Sequence, residues 1–129
     1  IASVYFELNK YDLSKDYFEK SISLLKDKNN IIYEYACLEG LIKVNFAMGN
    51  FEESMENIHK IEEHGSLESI KDSYSTAIYY KILILLENNN FAEAQNIYEN
   101  LNEYIHQSGN DEIIKKFDSL GDRFAKDKS

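Results

Sequence analysis

Three groups of residues carry side chains able to do chemistry, and none has the spacing that chemistry requires. His59 and His64 bracket Glu62 and Glu63, the residue types of a zinc site. Five positions apart on a helix, the two histidines lie on different faces, so one ion does not reach both. The run Asp27-Lys28-Asn29-Asn30 opens like a calcium loop, but Ile31 stands where an oxygen ligand belongs and no glycine follows. Cys37 is the only cysteine, so no disulfide forms within the chain. It lies in an apolar helical stretch, where a thiol is expected to be buried and inert. No glycine-rich phosphate loop and no serine in a nucleophile elbow are present. The residues therefore point away from an enzyme, a metal site or a cofactor, and towards recognition.

The elements that would present a recognition surface are legible in a repeat. Tyr11, Phe51 and Phe91 stand forty residues apart, preceded by Asn9-Lys10, Gly49-Asn50 and Asn89-Asn90. Asn and Gly two places before each aromatic are the residues that best tolerate the left-handed conformation ending a helix. The offsets agree on both sides. Val4, Val44 and Ile84 lie seven residues earlier, and Phe6, Phe46 and Leu86 five earlier. The small Ser14, Ser54 and Ala94 lie three later, and the large Phe18, Ile58 and Tyr98 seven later. Small then large, four apart, falls on one helical face.

This pattern predicts an all-α superhelix of three antiparallel helix pairs with a C-terminal capping helix, in a single domain. Helices are expected at about 1–9, 12–27, 31–48, 51–64, 69–88, 91–107 and 111–125, each boundary good to roughly two to four residues. The repeats are about 1–30, 31–69 and 70–109, with 110–129 as the cap. Start signals are Asp12, Asn30, Ser69 with Asp72 three residues on, and Asn110 before Asp111-Glu112; Gly65 and Gly109 mark stops. A forty-residue unit holds one helix pair, which buries its apolar faces only by stacking on its neighbours. The aromatic anchors Tyr11, Phe51 and Phe91 are expected to pack at the tight turns. The opening Ile1 falls inside an apolar helical pattern, so the chain is expected to be part of a longer one.

Composition agrees with long helices. There is no proline and there are five glycines in 129 residues. The net charge of −9 is concentrated in the middle, where residues 51–109 carry eleven acids against three bases. An acidic surface repels phosphate backbones, so direct nucleic-acid contact is not expected, and a basic partner would be steered towards it. No apolar run is long enough to span a bilayer. A cytoplasmic location, with no membrane contact, is the expectation.

These offsets resemble the tetratricopeptide repeat over roughly residues 1–107. The likeness is clearest in Ala2, Tyr5, Asn9, Tyr11, Ser14, Phe18 and Ser21, and in Gly49-Asn50-Phe51 with Ser54 and Ile58. The chain departs from that pattern at Ile42, Ile82, Ile61 and Leu101, which fill small positions, and at Asn45 and Leu85, which replace an aromatic. Its long, degenerate repeats resemble the C-terminal sensor domains of peptide-pheromone receptors of Gram-positive bacteria, the Rap, PlcR and PrgX group. What that resemblance implies is a bacterial peptide-binding module serving a transcription regulator. The alternative is a scaffold or self-association module, with a homodimer as one outcome.

In arrays of this kind the first helix of each pair lines the concave face. The matching candidates for partner binding are Phe6, Glu39, Lys43, Phe46, Tyr79, Leu83 and Leu86, with Glu7, Thr76 and others nearby. The face reads as an apolar and aromatic groove with few charges, suited to a hydrophobic peptide or a partner helix. A clamp for a terminal carboxylate is not expected, because Lys43 is its only suitable cation.

Overall fold

In the computed structural model, residues 10–26, 31–63, 71–108 and 110–127 are described. They form six helices: α1 (Tyr11–Lys26), α2 (Ile31–Ala47), α3 (Phe51–Glu62), α4 (Lys71–Glu87), α5 (Phe91–Ser108) and α6 (Asp111–Asp127). No strand occurs among the described residues. The helix starts fall one every twenty residues, so the forty-residue unit is two equal halves. The expected helix over 1–9, the signals at Asn9, Asn30, Gly65, Ser69 and Gly109, and the candidate Phe6 lie outside the described residues.

The two described turns show why the repeat has its spacing. Gly49 (φ 80°) and Asn89 (φ 63°) adopt the left-handed conformation. At each, one amide bonds three residues back and the next bonds five back, Gly49 N to Phe46 O and Asn50 N to Asn45 O, then Asn89 N to Leu86 O and Asn90 N to Leu85 O. This double closure satisfies carbonyls that a helix end leaves open. The following helix begins at once, with Ser54 N bonded to Asn50 O and Ala94 N to Asn90 O. Asn110 caps α6 as its position implies, its Oδ1 accepting from Ile113 N at 2.9 Å. Asp12 lies in the first turn of α1, whose first residue is Tyr11.

Successive helices pack antiparallel along the chain, and α2, α4 and α6 also pack on one another in series. Among the described residues, α1, α3 and α5 make no such backbone approach to each other. The row α2-α4-α6 is therefore the inner, closer-spaced layer. Two apolar cores result. Leu38, Ile42, Val44, Ile58, Ile61, Ala77 and Ile84 belong to the first; Ile78, Ile82, Leu86, Ile105, Phe117 and Phe124 belong to the second. Since α4 contributes to both, its apolar residues lie on two faces rather than along one stripe.

Close approach is set by the small residues, not the aromatics beside them. Ser14, Ser54 and Ala94 are fully buried, and Ser54 Oγ donates to Ile42 O at 3.0 Å, joining α3 to α2. The anchors meet the expectation of packed turns in part. Tyr11 and Phe51 are half-buried and pack against the first core, Phe51 with its ring centroid 5.4 Å from that of Phe46. Phe91 departs from it, at 47 % exposed.

The sixth helix ends the array because its outer positions change character. Forty residues before Asp118 and Asp122 stand Ile78 and Ile82, and forty before those Leu38 and Ile42, all four buried. Asp118 and Asp122 are exposed. A further helix laid there would desolvate two carboxylates, which is the polar back a terminal helix requires. In contrast Phe117 and Phe124 are 0 % and 5 % exposed, stacked with Tyr98 at 5.0 and 5.3 Å between ring centroids. They are core, which removes them as a docking surface for a second copy.

Truncation should separate core from anchor. Ile82→Ala is expected to cost about 2–5 kcal/mol, and Phe91→Ala less than about 1 kcal/mol, by urea denaturation. Similar losses for both would mean that Phe91 is buried.

Candidate concave interface

The inner layer brings Glu39 and Lys43 of α2, Thr76 of α4, and Glu112 and Lys116 of α6 to the walls of one small cleft of about 60 Å³. A helix places i and i+4 side by side, so each outer helix presents an acid and a base together. Lys43 Nζ lies 3.7 Å from Glu39 Oε1, and Lys116 Nζ lies 3.4 Å from Glu112 Oε1. Glu39 also accepts from Ser73 Oγ at 3.1 Å. These are exposed or half-exposed pairs in water, so each holds its partner weakly and can exchange it for a ligand's charge.

Aromatic side chains floor this region. Tyr80 packs edge-on to Phe46 and to Tyr79, both with ring centroids 5.3 Å apart. Lys116 Nζ stands 5.7 Å from the Tyr79 ring centroid, a cation–π contact linking α6 to α4. Burial pushes the Tyr80 hydroxyl up to about 12, with further contributions from Tyr79, Glu39 and Glu112. Each of those neighbours disfavours a phenolate, so Tyr80 is a neutral hydrogen-bond donor at physiological pH.

The candidate residues thus divide. Glu39 and Lys43 line the cleft, and Tyr79 adjoins it through Lys116. Phe46 and Leu83 are half-buried and packed against the first and second cores respectively. Leu86, 3 % exposed within the second core, is a correction: it faces the layer behind and presents nothing to a ligand. Of the expected apolar groove, Phe46, Tyr79 and Leu83 stay half-buried beside the cores, while the cleft itself is lined mostly by polar side chains. Sequence reasoning passed over Glu112 and Lys116 by treating α6 only as a cap. Their i, i+4 spacing, the same as that of Glu39 and Lys43, was the available signal.

The helix carrying Glu112 and Lys116 is fastened by His106 of α5. Its Nδ1 lies 2.8 Å from Asn102 O and its Nε2 2.8 Å from Asp118 Oδ1. Both partners only accept, so both ring nitrogens donate and the imidazole is cationic when the two bonds are made. The hydrogen bonds to the Asn102 carbonyl and the Asp118 carboxylate together raise its pKa above the ordinary imidazole value of about 6.5.

Elsewhere the chemistry-bearing residues stand apart. His59 Nδ1 is 2.9 Å from Glu62 Oε1, whose other oxygen binds Lys81 Nζ at 3.0 Å. No group of three or more potential metal ligands occurs among the described residues. Cys37 is half-buried rather than fully buried, and burial, then Glu34, pushes its thiol pKa up. No helix among the described residues is long and apolar enough to cross a membrane.

A tetratricopeptide repeat family model matches residues 1–27. The array is tetratricopeptide-like. No curated protein and no solved structure matches the chain. The match covers the segment that ends in α1, and the repeating turns and paired helices carry the likeness through the rest of the described chain. Such repeats generally mediate protein–protein interaction, and the fold is typically a non-catalytic module.

Two titrations check this geometry. A raised phenol pKa gives stability that is full below pH 10 and is lost as pH rises towards about 12. Alkaline denaturation should therefore be shallower in Tyr80→Phe than in the parent; equal curves would place Tyr80 in solvent. For His106 the contribution is full below pH 6.5 and lost as pH rises through its raised value. Protection of the α6 amides, exchange rate taken relative to the intrinsic rate at each pH, should fall over that range in the parent and stay level in His106→Gln.

Proposed function

We propose that this chain is a protein-interaction module whose inner layer takes a short segment of a partner polypeptide. The observation that carries the reading is the pair of Glu–Lys couples facing one cleft from α2 and α6, with Thr76 between them. A ligand with both charges can exchange partners with them, while Tyr79 and Tyr80 offer ring faces and hydroxyls that need no charge. The resemblance to peptide-sensing arrays makes a peptide the first ligand class to test, with control of a transcription regulator as the role it would serve.

A second reading, self-association, is favoured by a separate observation. Five of the six exposed large apolar side chains among the described residues gather at one end, Leu13, Tyr17 and Leu24 on α1 and Ile32 and Tyr33 at the start of α2. Apolar side chains grouped in this way mark interaction surfaces.

Peptides selected from a random display library against the parent should lose at least about tenfold in affinity for a Lys43→Glu, Lys116→Glu variant, about 1.4 kcal/mol. Equal binding to both proteins would exclude the concave cleft. Sedimentation of the parent and a Leu24→Glu, Tyr33→Glu variant separates the second reading: a parent dimer that becomes monomeric supports it, and a monomeric parent rejects it.

A further inference from the structure

Away from the inner layer, a second and larger pocket opens between α1 and α3, with a volume of about 290 Å³. Its deepest member is Asn45 of α2, 2 % exposed. The Asn45 amide nitrogen donates to Asn57 Oδ1 at 3.0 Å. Its own oxygen is buried and accepts no hydrogen bond. An orphaned buried carbonyl is costly, and each one that a structure keeps calls for an explanation.

The neighbouring repeat shows that the fold does not need this amide. Forty residues on, the positions of Asn45 and Asn57 are Leu85 and Ile97, both packed in the second core. An apolar pair therefore serves the same junction one unit later. The polar pair occurs where the outer helices leave an opening, and the cavity that it faces is wide enough for a side chain from outside.

Charge and shape at the mouth select the visitor. Lys15 is neutralised by Glu53, their atoms 2.6 Å apart. That leaves the carboxylates of Glu19 and Glu56 at the opening, neither held in an ion pair among the described residues, against the single cation Lys60. The walls include Leu41 and the half-buried Ile22, an apolar surface beside the acceptors. A buried acceptor at the base, carboxylates above and apolar sides between them call for a flat cation with several donors. A guanidinium has five donors in one plane, is weakly hydrated and stacks on apolar or aromatic faces, whereas an ammonium is a compact, strongly hydrated point charge.

We propose that the pocket between α1 and α3 is a binding site for an arginine side chain of a partner protein, its guanidinium donating to Asn45 Oδ1 and to the carboxylates of Glu19 and Glu56. The site is separate from the concave cleft and does not depend on what that cleft binds. It gives the array a second point of attachment on the α1-α3 side.

The test is an NMR titration of the ¹⁵N-labelled chain with N-acetyl-arginine amide, read at the side-chain amide resonances of Asn45 and Asn57. N-acetyl-citrulline amide, the neutral isostere, and N-acetyl-lysine amide are the controls. Saturable shifts with arginine are expected, at least about fivefold weaker with either control. A Glu19→Gln, Glu56→Gln variant, which alters only exposed side chains, should weaken arginine binding by a similar factor, and Asn45→Leu should abolish it. Three results would overturn the assignment: no saturable shift, citrulline binding as tightly as arginine, or unchanged binding in the double glutamine variant. A long-lived water at the Asn45 amide that arginine does not displace would do the same. Should Asn45→Leu fail to fold, the citrulline control and the double variant still decide the matter.

Discussion

The packing of α4 between α2, α3, α5 and α6 is the constraint on which the rest of the array depends. Ala77 and Ile84 close the core shared with α2 and α3, while Ile78, Ile82 and Leu86 close the core shared with α5 and α6. The strip carrying Tyr79, Tyr80, Lys81 and Leu83 stays half-open, and the two cores are coupled through the one helix that they share. A helix pair alone would expose one of these surfaces, and stacking removes it from water at roughly 25 cal/mol per Å². Cooperative folding along the stack follows from this sharing, since loss of one pair uncovers the next.

Stacking also determines which chemistry remains on show. Apolar side chains on the inner helices are drawn between layers, so the positions left open on that face are those that tolerate water. Glu39, Lys43, Glu112 and Lys116 occupy them, with the rings of Tyr79 and Tyr80 beneath. Weak surface couples are poor sources of stability but good exchange partners, because a ligand's charges replace them at little cost. The same division appears at the end of the array, where Asp118 and Asp122 of α6 stay exposed and Asp118 takes a hydrogen bond from His106 of α5.

Against this background the buried pair Asn45 and Asn57 sets a side-chain amide contact within the apolar layer between α2 and α3. Local rules broken without compensation are where function or strain is expected. Here the interruption coincides with an opening in the outer layer and with the carboxylates of Glu19 and Glu56, held in no ion pair among the described residues, so the polar pair lines a pocket rather than only adding to the core.

Much of the fold was legible in the sequence because its determinants are local. Left-handed residues at Gly49 and Asn89, small residues at Ser14, Ser54 and Ala94, and the cap at Asn110 act within one turn of backbone, and each appears where its residue type requires. The forty-residue interval carried the helix count and the pairing. Which side chains would be covered was not legible, because it depends on helices distant in sequence. Phe91 and Phe51 share an offset yet differ in exposure, since Phe51 meets Phe46 across its turn at 5.4 Å while Phe91 is left nearly half open. Leu86 looked like a groove residue and became core, and Glu112 and Lys116 looked like the back of a cap and became a wall of the cleft. Sequence alone determined the period, the turns and the helices; the tertiary structure decided which faces meet, because side-chain burial is set by the neighbour that packs there and not by the residue itself.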